Sequence, residues 1–445
     1  MLSTLRHLSR RVGLRFFASP TYPSVLFGKS DISRPPCTIT RLQKKNGLYV
    51  DQTDYLVKLF TGTDFKVQAA VPKRFSKSTN LDLISDMCRE DAREVFKDTH
   101  LGRSDFFNTE WKPPYPVMKF SFAELRGLEP AELKARLLAK VHQQFKMFGF
   151  SMSDNVPAGE KLAQLLDFIK AKGKDAVVLV DEYDVPVDKN NKLILNILHD
   201  FFSPLKRDAV LTKLVMLGTH KLLDYIGTST NDTQDLMQKS PFYNMFGFTQ
   251  EHVEEIFSER DPDFEKFTPL AFKSTVTLKE NPELYKKQKL KWITEQLKLH
   301  YDGYCFSGRK DAVNLYNPYS VMRFRNQEGT VKAYTQIEYN EVEHMQPTLL
   351  KFPELLNSTV TCSRGSTFTV NAVAANSDHS ENIKLLWGLG ALTIKEEDAE
   401  KDLVTLRATN EEMETNYTQL ILTNFVRTGP SRNSKRLQKG RIMHQ

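Results

Sequence analysis

Apolar and polar positions along the chain follow two alternating rhythms. Phe65–Ala70 (FKVQAA) reads as a strand. After Ser78, residues Leu81, Ile84, Met87, Cys88, Val95 and Phe96 follow at near-helical spacing. Pro116–Phe122 (PVMKFSF) predicts a second strand, entered through a proline-rich turn. Ala131–Phe148 predicts an amphipathic helix with Leu133, Leu137, Val141, Phe145 and Phe148 on one face. Leu162, Leu165, Leu166 and Ile169 mark another helix, stopped by Gly173. Ala176–Val180 is continuously apolar and ends in acids, the pattern of a fully buried parallel strand. A helix around Leu193–Phe202 and a strand at Lys213–Gly218 come next. Strands alternating with helices predict an α/β fold with a parallel sheet and right-handed crossovers. Such sheets bind ligands beyond the carboxyl ends of their strands. Chemistry is therefore expected just after Ala70, Val180 and Leu217.

Three polar stretches stand at those ends. The first is Val71–Thr79 (VPKRFSKST). A Lys-Ser pair opening a helix after a strand suits phosphate, because the helix start offers unpaired N–H groups and a positive dipole end. Lys77 is placed to reach the β/γ-phosphates and the Ser78 hydroxyl to ligate Mg2+. The full pattern GxxxxGK(S/T) is not met, since both glycines are missing. The second stretch is Asp181-Glu182-Tyr183-Asp184. An apolar strand ending in Asp-Glu gives one carboxylate for magnesium, Asp181, and one for the attacking water, Glu182. An acid at a strand end also serves as an ordinary cap, so the two stretches together say more than either alone. Their 104-residue separation leaves room for a second strand and two crossover helices, which predicts an added strand between the two motifs. The third stretch, Gly218-Thr219-His220-Lys221, puts His220 where a polar residue would face the γ-phosphate.

Composition narrows the picture. The chain has 445 residues, 40% hydrophobic and 26% charged, which excludes a wholly disordered polymer and suggests two or three domains. Cys37, Cys88, Cys305 and Cys362 are widely spaced, with neither a zinc pattern nor a disulfide framework. No run approaches the ~18–20 apolar residues of a membrane helix. The net charge of +7 belongs to the ends. Residues 1–17 carry Arg6, Arg10, Arg11 and Arg15 without an acid, with Leu2, Leu5, Leu8, Val12 and Phe16 on the opposite helical face. That is the composition of a mitochondrial transit peptide and predicts the matrix as location. Residues 427–445 hold six basic residues and no acid, read as a disordered tail able to make a weak nucleic-acid contact. The remainder is slightly acidic.

The motifs resemble, in order, those of the AAA-ATPase-like family of P-loop ATPases. Tyr49–Tyr55 (YVDQTDY) resembles its opening YVDKTDY, and Val71–Ser78 (VPKRFSKS) its RPRRFGKS. Val177–Pro186 (VVLVDEYDVP) resembles VVVLIDEYDAP, and Gly218–Lys221 sits at the sensor position. Phe246–Thr249 (FGFT), Tyr301–Tyr304 (YDGY) with Phe306, Tyr316–Ser320 (YNPYS), Leu385–Lys395 and Asn410-Glu411-Glu412 match its later motifs. The resemblance spans roughly residues 40–415. It implies ATP and Mg2+ at Arg74, Phe75, Ser76, Lys77, Ser78, Thr79, Asp181, Glu182 and His220, with Glu182 and Lys77 catalytic.

It also implies an order along the chain. An irregular lead-in at 18–45 precedes an ATPase-like domain at 46–260 of the Glu-base type, then a mostly helical part at 261–426, without the nuclease-like domain that often ends the family. The expected function is slow ATP hydrolysis as a conformational switch acting on an unknown protein client. A nucleotide-binding scaffold without turnover is the alternative, and the oligomeric state is left open. Two departures favour the alternative. Ser76 replaces a glycine where φ > 0 is required, which costs on the order of 1–2 kcal/mol, and His220 replaces the sensor Ser/Thr. The run Asp224–Asp235 also lacks the family's usual sequence, with Asn231 the one residue matching its place.

Overall fold

The computed structural model describes residues 24–27, 37–150, 156–187, 191–207, 210–219, 233–335, 359–363, 383, 386–398, 400–401 and 403–419. The basic leader, the basic tail, His220, Lys221 and Asn231 lie outside the described residues.

The elements are β1 (Val25–Phe27), α1 (Thr38–Asn46), β2 (Leu48–Val50), α2 (Asp54–Thr61), β3 (Lys66–Ala70), α3 (Lys77–Met87), β4 (Val117–Ser121), α4 (Pro130–Met147), α5 (Ala158–Ala171), β5 (Ala176–Asp181), α6 (Lys192–Phe202), β6 (Leu211–Gly218) and β7 (Gln234–Asp235). Then come α7 (Gln250–Ile256), α8 (Pro282–Tyr301), α9 (Pro318–Asn326), β8 (Val360–Ser363), β9 (Leu392–Asp398) and β10 (Leu403–Ala408).

The parallel sheet has the order β4-β5-β6-β3-β7. The strand that parts β3 from β5 in space is β6, whereas β4, which parts them in sequence, lies at the sheet edge. The added strand exists, but spatial order and chain order differ. Side chains alternate between the faces as a strand requires. Val67, Ala69, Val177, Leu179, Val215 and Leu217 enter one core together with α3. Val178, Val180, Leu214 and Met216 enter the other, under α4, α5 and α6.

The C-terminal part is helical in part. It also contains an antiparallel sheet in the order β8-β10-β9, which the sequence reading did not include. Its apolar residues Leu392, Ile394, Val404 and Leu406 join the same core as Val67 and Phe75. A third core joins β1 and β2 to α7, α8 and α9 through Leu48, Val253, Ile293 and Phe324.

Asparagine caps set several helix starts. Asn317 accepts from the Tyr319 and Ser320 N–H groups at the start of α9, with Pro318 following. The Asn-Pro-Tyr-Ser motif is thus a helix cap with proline in the first turn, where its missing N–H costs nothing. Asn281 and Pro282 open α8 in the same manner. Isolated bridges Phe248↔Tyr316 and Tyr304↔Leu315 bind the FGFT, YDGY and YNPYS motifs to each other. Gly303 lies at φ +97, and a Cβ there would come within 2.7 Å of the Thr409 carbonyl oxygen. A glycine is required there.

Candidate functional site

Strand β3 ends at Ala70, and the chain turns through Val71–Ser76 into α3. This loop reverses direction with two residues in left-handed backbone, Arg74 (φ 69) and Ser76 (φ 52). Neither is glycine, so each carries strain of about 1–2 kcal/mol. Phe75 between them is fully buried and contacts the rings of Tyr304 and Phe306 edge-on at 4.6 and 5.1 Å. That burial is the compensation that keeps a strained loop in one shape. The sequence reading gave Phe75 as a nucleotide contact. The structure turns its side chain into the core, which leaves only its backbone to the loop.

Lys77 stands at the first position of α3 and is 8% exposed. Its Nζ donates to the carbonyl oxygens of Val71 and Pro72, each at 2.8 Å. Burial pulls its ammonium pKa down to about 8, against the charges of Asp184, Asp181 and Glu182. A buried cation beside a helix start, held by the loop it serves, is suited to anionic ligands. One turn into α3, Asn80 is buried and donates from its amide to the Ser76 carbonyl at 3.0 Å, fastening the end of the loop.

The two sequence motifs meet. Ser78 Oγ donates to Asp181 Oδ2 at 2.5 Å, across 103 residues of chain. Asp181 is 6% exposed, and its other oxygen, Oδ1, is buried without a hydrogen-bond partner. A buried carboxylate oxygen left open is costly unless something fills its valence. Mg2+ suits this set. It commonly takes one or two carboxylates, substrate phosphates and several waters, and Ser78 with Asp181 supplies the protein share. Among the described residues no cluster of three or more His, Cys, Asp or Glu side chains could hold a metal by itself.

Glu182 follows, also in left-handed backbone (φ 54) and half-buried. Burial and then the charge of Asp181 push its carboxyl pKa up, with Lys77 opposing. Among the described residues four non-glycine positions have left-handed φ, and three of them, Arg74, Ser76 and Glu182, are at this site. Strain gathered this way is the mark of a functional site whose surroundings over-determine its shape.

Asp184, the last residue of the second stretch, has a structural role. Both its carboxylate oxygens accept from the Thr219 N–H at 3.1 Å, which ties the turn after β5 to the end of β6. Gly218 is forced by the same contact, because a Cβ there would come within 2.6 Å of Asp184 Oδ1 and 2.7 Å of the Tyr183 ring. Arg74 is exposed and sits over the Tyr319 ring at 4.9 Å. Thr79 is half-buried in the first turn of α3.

The opening YVDQTDY motif does not reach this site. Asp51 is buried and accepts from the Thr53 N–H and hydroxyl and from the His100 N–H, and its Oδ2 lies 2.7 Å from His100 Nδ1. Burial pushes its carboxyl pKa up, but the contacts with His100 and Thr53 more than reverse this and leave it below the usual range. Asp51 pins α2 to the turn His100–Arg103.

Residues 38–224 match the model of a family described as AAA-ATPase-like, predicted AAA-ATPase. A curated relative from Azotobacter chroococcum mcd 1, named uncharacterized protein in vnfD 5' region, is 23% identical over 286 residues, 62% of this chain and 47% of the relative. The chain therefore spans about half the length of that relative. Among solved structures, the Walker-type ATPase paby2304 of Pyrococcus abyssi is 11% identical with a TM-score of 0.33, covering 86% of this chain and 98% of its own. The ORC2 protein of Aeropyrum pernix, solved as ADPNP–ADP complexes, is 11% identical with a TM-score of 0.32, covering 84% and 92%.

Proposed function

From the match of residues 38–224 to the AAA-ATPase-like family model, we propose that the chain binds ATP with Mg2+ and hydrolyses it slowly. The observation that carries this reading is the open Asp181 Oδ1 beside the Ser78–Asp181 hydrogen bond. Mg2+ supplies charge neutralisation across the phosphates when bound. Ser78 and Asp181 hold it. Lys77 exchanges its bonds to Val71 and Pro72 for phosphate oxygens, and the N–H groups of the loop and of α3 supply the remaining donors. Glu182 orients and deprotonates the attacking water, so turnover falls as acidity protonates it. Its raised pKa brings that loss closer to neutral pH than for an ordinary glutamate. The C-terminal part reads the nucleotide state and passes it to a protein client.

The acid-free leader supports a mitochondrial matrix location, and the basic tail a weak nucleic-acid contact. An intact Met1 on protein from isolated mitochondria would count against the first. Unchanged RNA and DNA affinity after deletion of residues 427–445 would remove the second. The strain at Ser76 favours a second reading, nucleotide binding without turnover. ATP turnover by the full chain, with Glu182→Gln alongside, separates the two. Hydrolysis abolished by the substitution supports the enzyme. Binding with no turnover above the variant supports the scaffold.

A further inference from the structure

The phosphate-binding loop is not supported by the parallel sheet alone. Three segments of the C-terminal part hold it from the far side. Phe75 enters an aromatic pocket formed by Tyr304 and Phe306. Phe306 is itself braced edge-on by Trp387 at 6.0 Å. Arg74 lies on Tyr319, the second residue of α9. Pro72 abuts Gly390, where an added Cβ would come within 3.3 Å of the proline and 3.1 Å of the Tyr304 ring. So three of the six residues between β3 and Lys77 touch residues more than 200 positions away. The two residues flanking Phe75 are the strained ones. Neither Arg74 nor Ser76 is a glycine, so their left-handed backbone depends on restraint from outside, and the pocket under Phe75 adds to the bonds that Lys77 and Asn80 make to the loop.

We propose that Tyr304 and Phe306 are positioning residues for the nucleotide site, acting through Phe75 to hold the loop in its phosphate-binding shape. The C-terminal part is then a component of the site as well as its readout. By reciprocity, whatever displaces Phe306 weakens nucleotide binding, and nucleotide that tightens the loop stabilises the pocket by the same factor. The inference rests on the ATP reading for its second half only. The support of the loop is a property of the chain without ligand.

The test uses the full chain, with Phe306→Leu and the ring-preserving Phe306→Tyr. The first arm contains no nucleotide. Hydrogen exchange of amides 73–80 should rise at least about tenfold in Phe306→Leu and stay within about threefold of wild type in Phe306→Tyr. Amides of α4 and α5, in a separate core, should be unchanged in both and serve as the control for folding. The second arm measures Mg·ATP binding by calorimetry. The dissociation constant should rise about tenfold in Phe306→Leu and recover in Phe306→Tyr. Loop exchange and affinity both at wild-type values in Phe306→Leu overturn the inference. A loop that loosens while the wild type binds no ATP keeps the support and sinks the ATP reading. If amides of α4 and α5 loosen as much as the loop, the pocket is general core and positions nothing.

Discussion

Two buried carboxylates, one in each half of the molecule, are treated in opposite ways. Glu412 is 2% exposed. Its Oε1 accepts from the Tyr334 and Thr335 N–H groups at 2.7 and 2.9 Å, and the Ser320 hydroxyl lies 2.9 Å from both oxygens. Asn317 donates to Thr335 nearby, so the YNPYS and NEE motifs meet around one acid. Asp181 is nearly as buried, yet one oxygen has only Ser78 and the other has nothing. Burial alone does not mark a site. A filled valence marks architecture, and an open one beside a strained backbone marks a place for a ligand. Asp51 repeats the lesson on the architectural side, with its contacts to Thr53 and His100 all internal.

The largest expected effect breaks the chemistry and spares the fold. Glu182→Gln should cut ATP turnover by about 10²–10⁴-fold, the range removed with a general base, while its thermal midpoint stays at the wild-type value. Next is the filled carboxylate. Burial pushes the Glu412 pKa up from 4.5 to about 7, partly offset by its hydrogen bonds. A pKa raised in the folded state means that its contribution is full below about pH 4.5 and lost as pH rises through about 7. That amounts to roughly 3 kcal/mol across the window. Denaturant unfolding of Glu412→Gln should lose this slope, because a neutral amide can accept both N–H groups at every pH. Glu412→Ala should instead cost about 3 kcal/mol at pH 5, since it strands those donors. A smaller effect follows from Lys77. With its pKa near 8 in the free protein, ATP binding should take up a proton above pH 8 and weaken by up to about tenfold per unit of pH. Calorimetry at pH 9 in buffers of different ionisation enthalpy reads that uptake directly. The smallest is Ser76→Gly, which relieves left-handed strain already present without ligand and should raise folding stability by about 1 kcal/mol while leaving ATP affinity within about threefold. Unchanged affinity would show that the loop keeps this strain with ligand bound.

Much of the nucleotide half was legible because its signals are local. The continuous apolar run Ala176–Val180 and the strand-then-Lys-Ser step at Ala70–Ser78 depend on neighbours a few residues apart. The structure moves each strand boundary by no more than two residues, as at Leu211, where the apolar pattern begins before Lys213. The left-handed backbone of Ser76 is what the resemblance implies, since it stands where the family has glycine, and the structure has φ 52 there. What was not legible depends on distance in the chain. Nothing local says that Phe75 meets Tyr304 and Phe306, that Asp184 caps Thr219, or that Thr393 on β9 accepts from the Cys305 N–H. The antiparallel sheet of β8, β9 and β10 was hidden for a related reason. The pairing of β8 with β10 joins residues 40 to 46 positions apart, from Leu403 with Ser363 to Leu406 with Val360, and β9 is buried over Leu392–Ile394 rather than alternating along its length. Asn410 and Glu412 match a motif of the resemblance, but no periodicity could reveal that Glu412 accepts from the Ser320 hydroxyl and that Asn410 donates to the Asp302 carbonyl.

The contrast between an open and a filled carboxylate is tested most directly by Mg2+-dependent ATP binding to three full-length proteins: wild type, Asp181→Asn and Glu412→Gln. Wild type and Glu412→Gln should bind ATP more tightly with Mg2+ than without it. Asp181→Asn should lose that dependence, with Mg·ATP affinity reduced by about 100-fold, the upper end of what losing even an outer-shell metal partner costs. If Asp181→Asn binds Mg·ATP as wild type does, the open oxygen at the end of β5 is not a metal ligand and the proposed site is wrong.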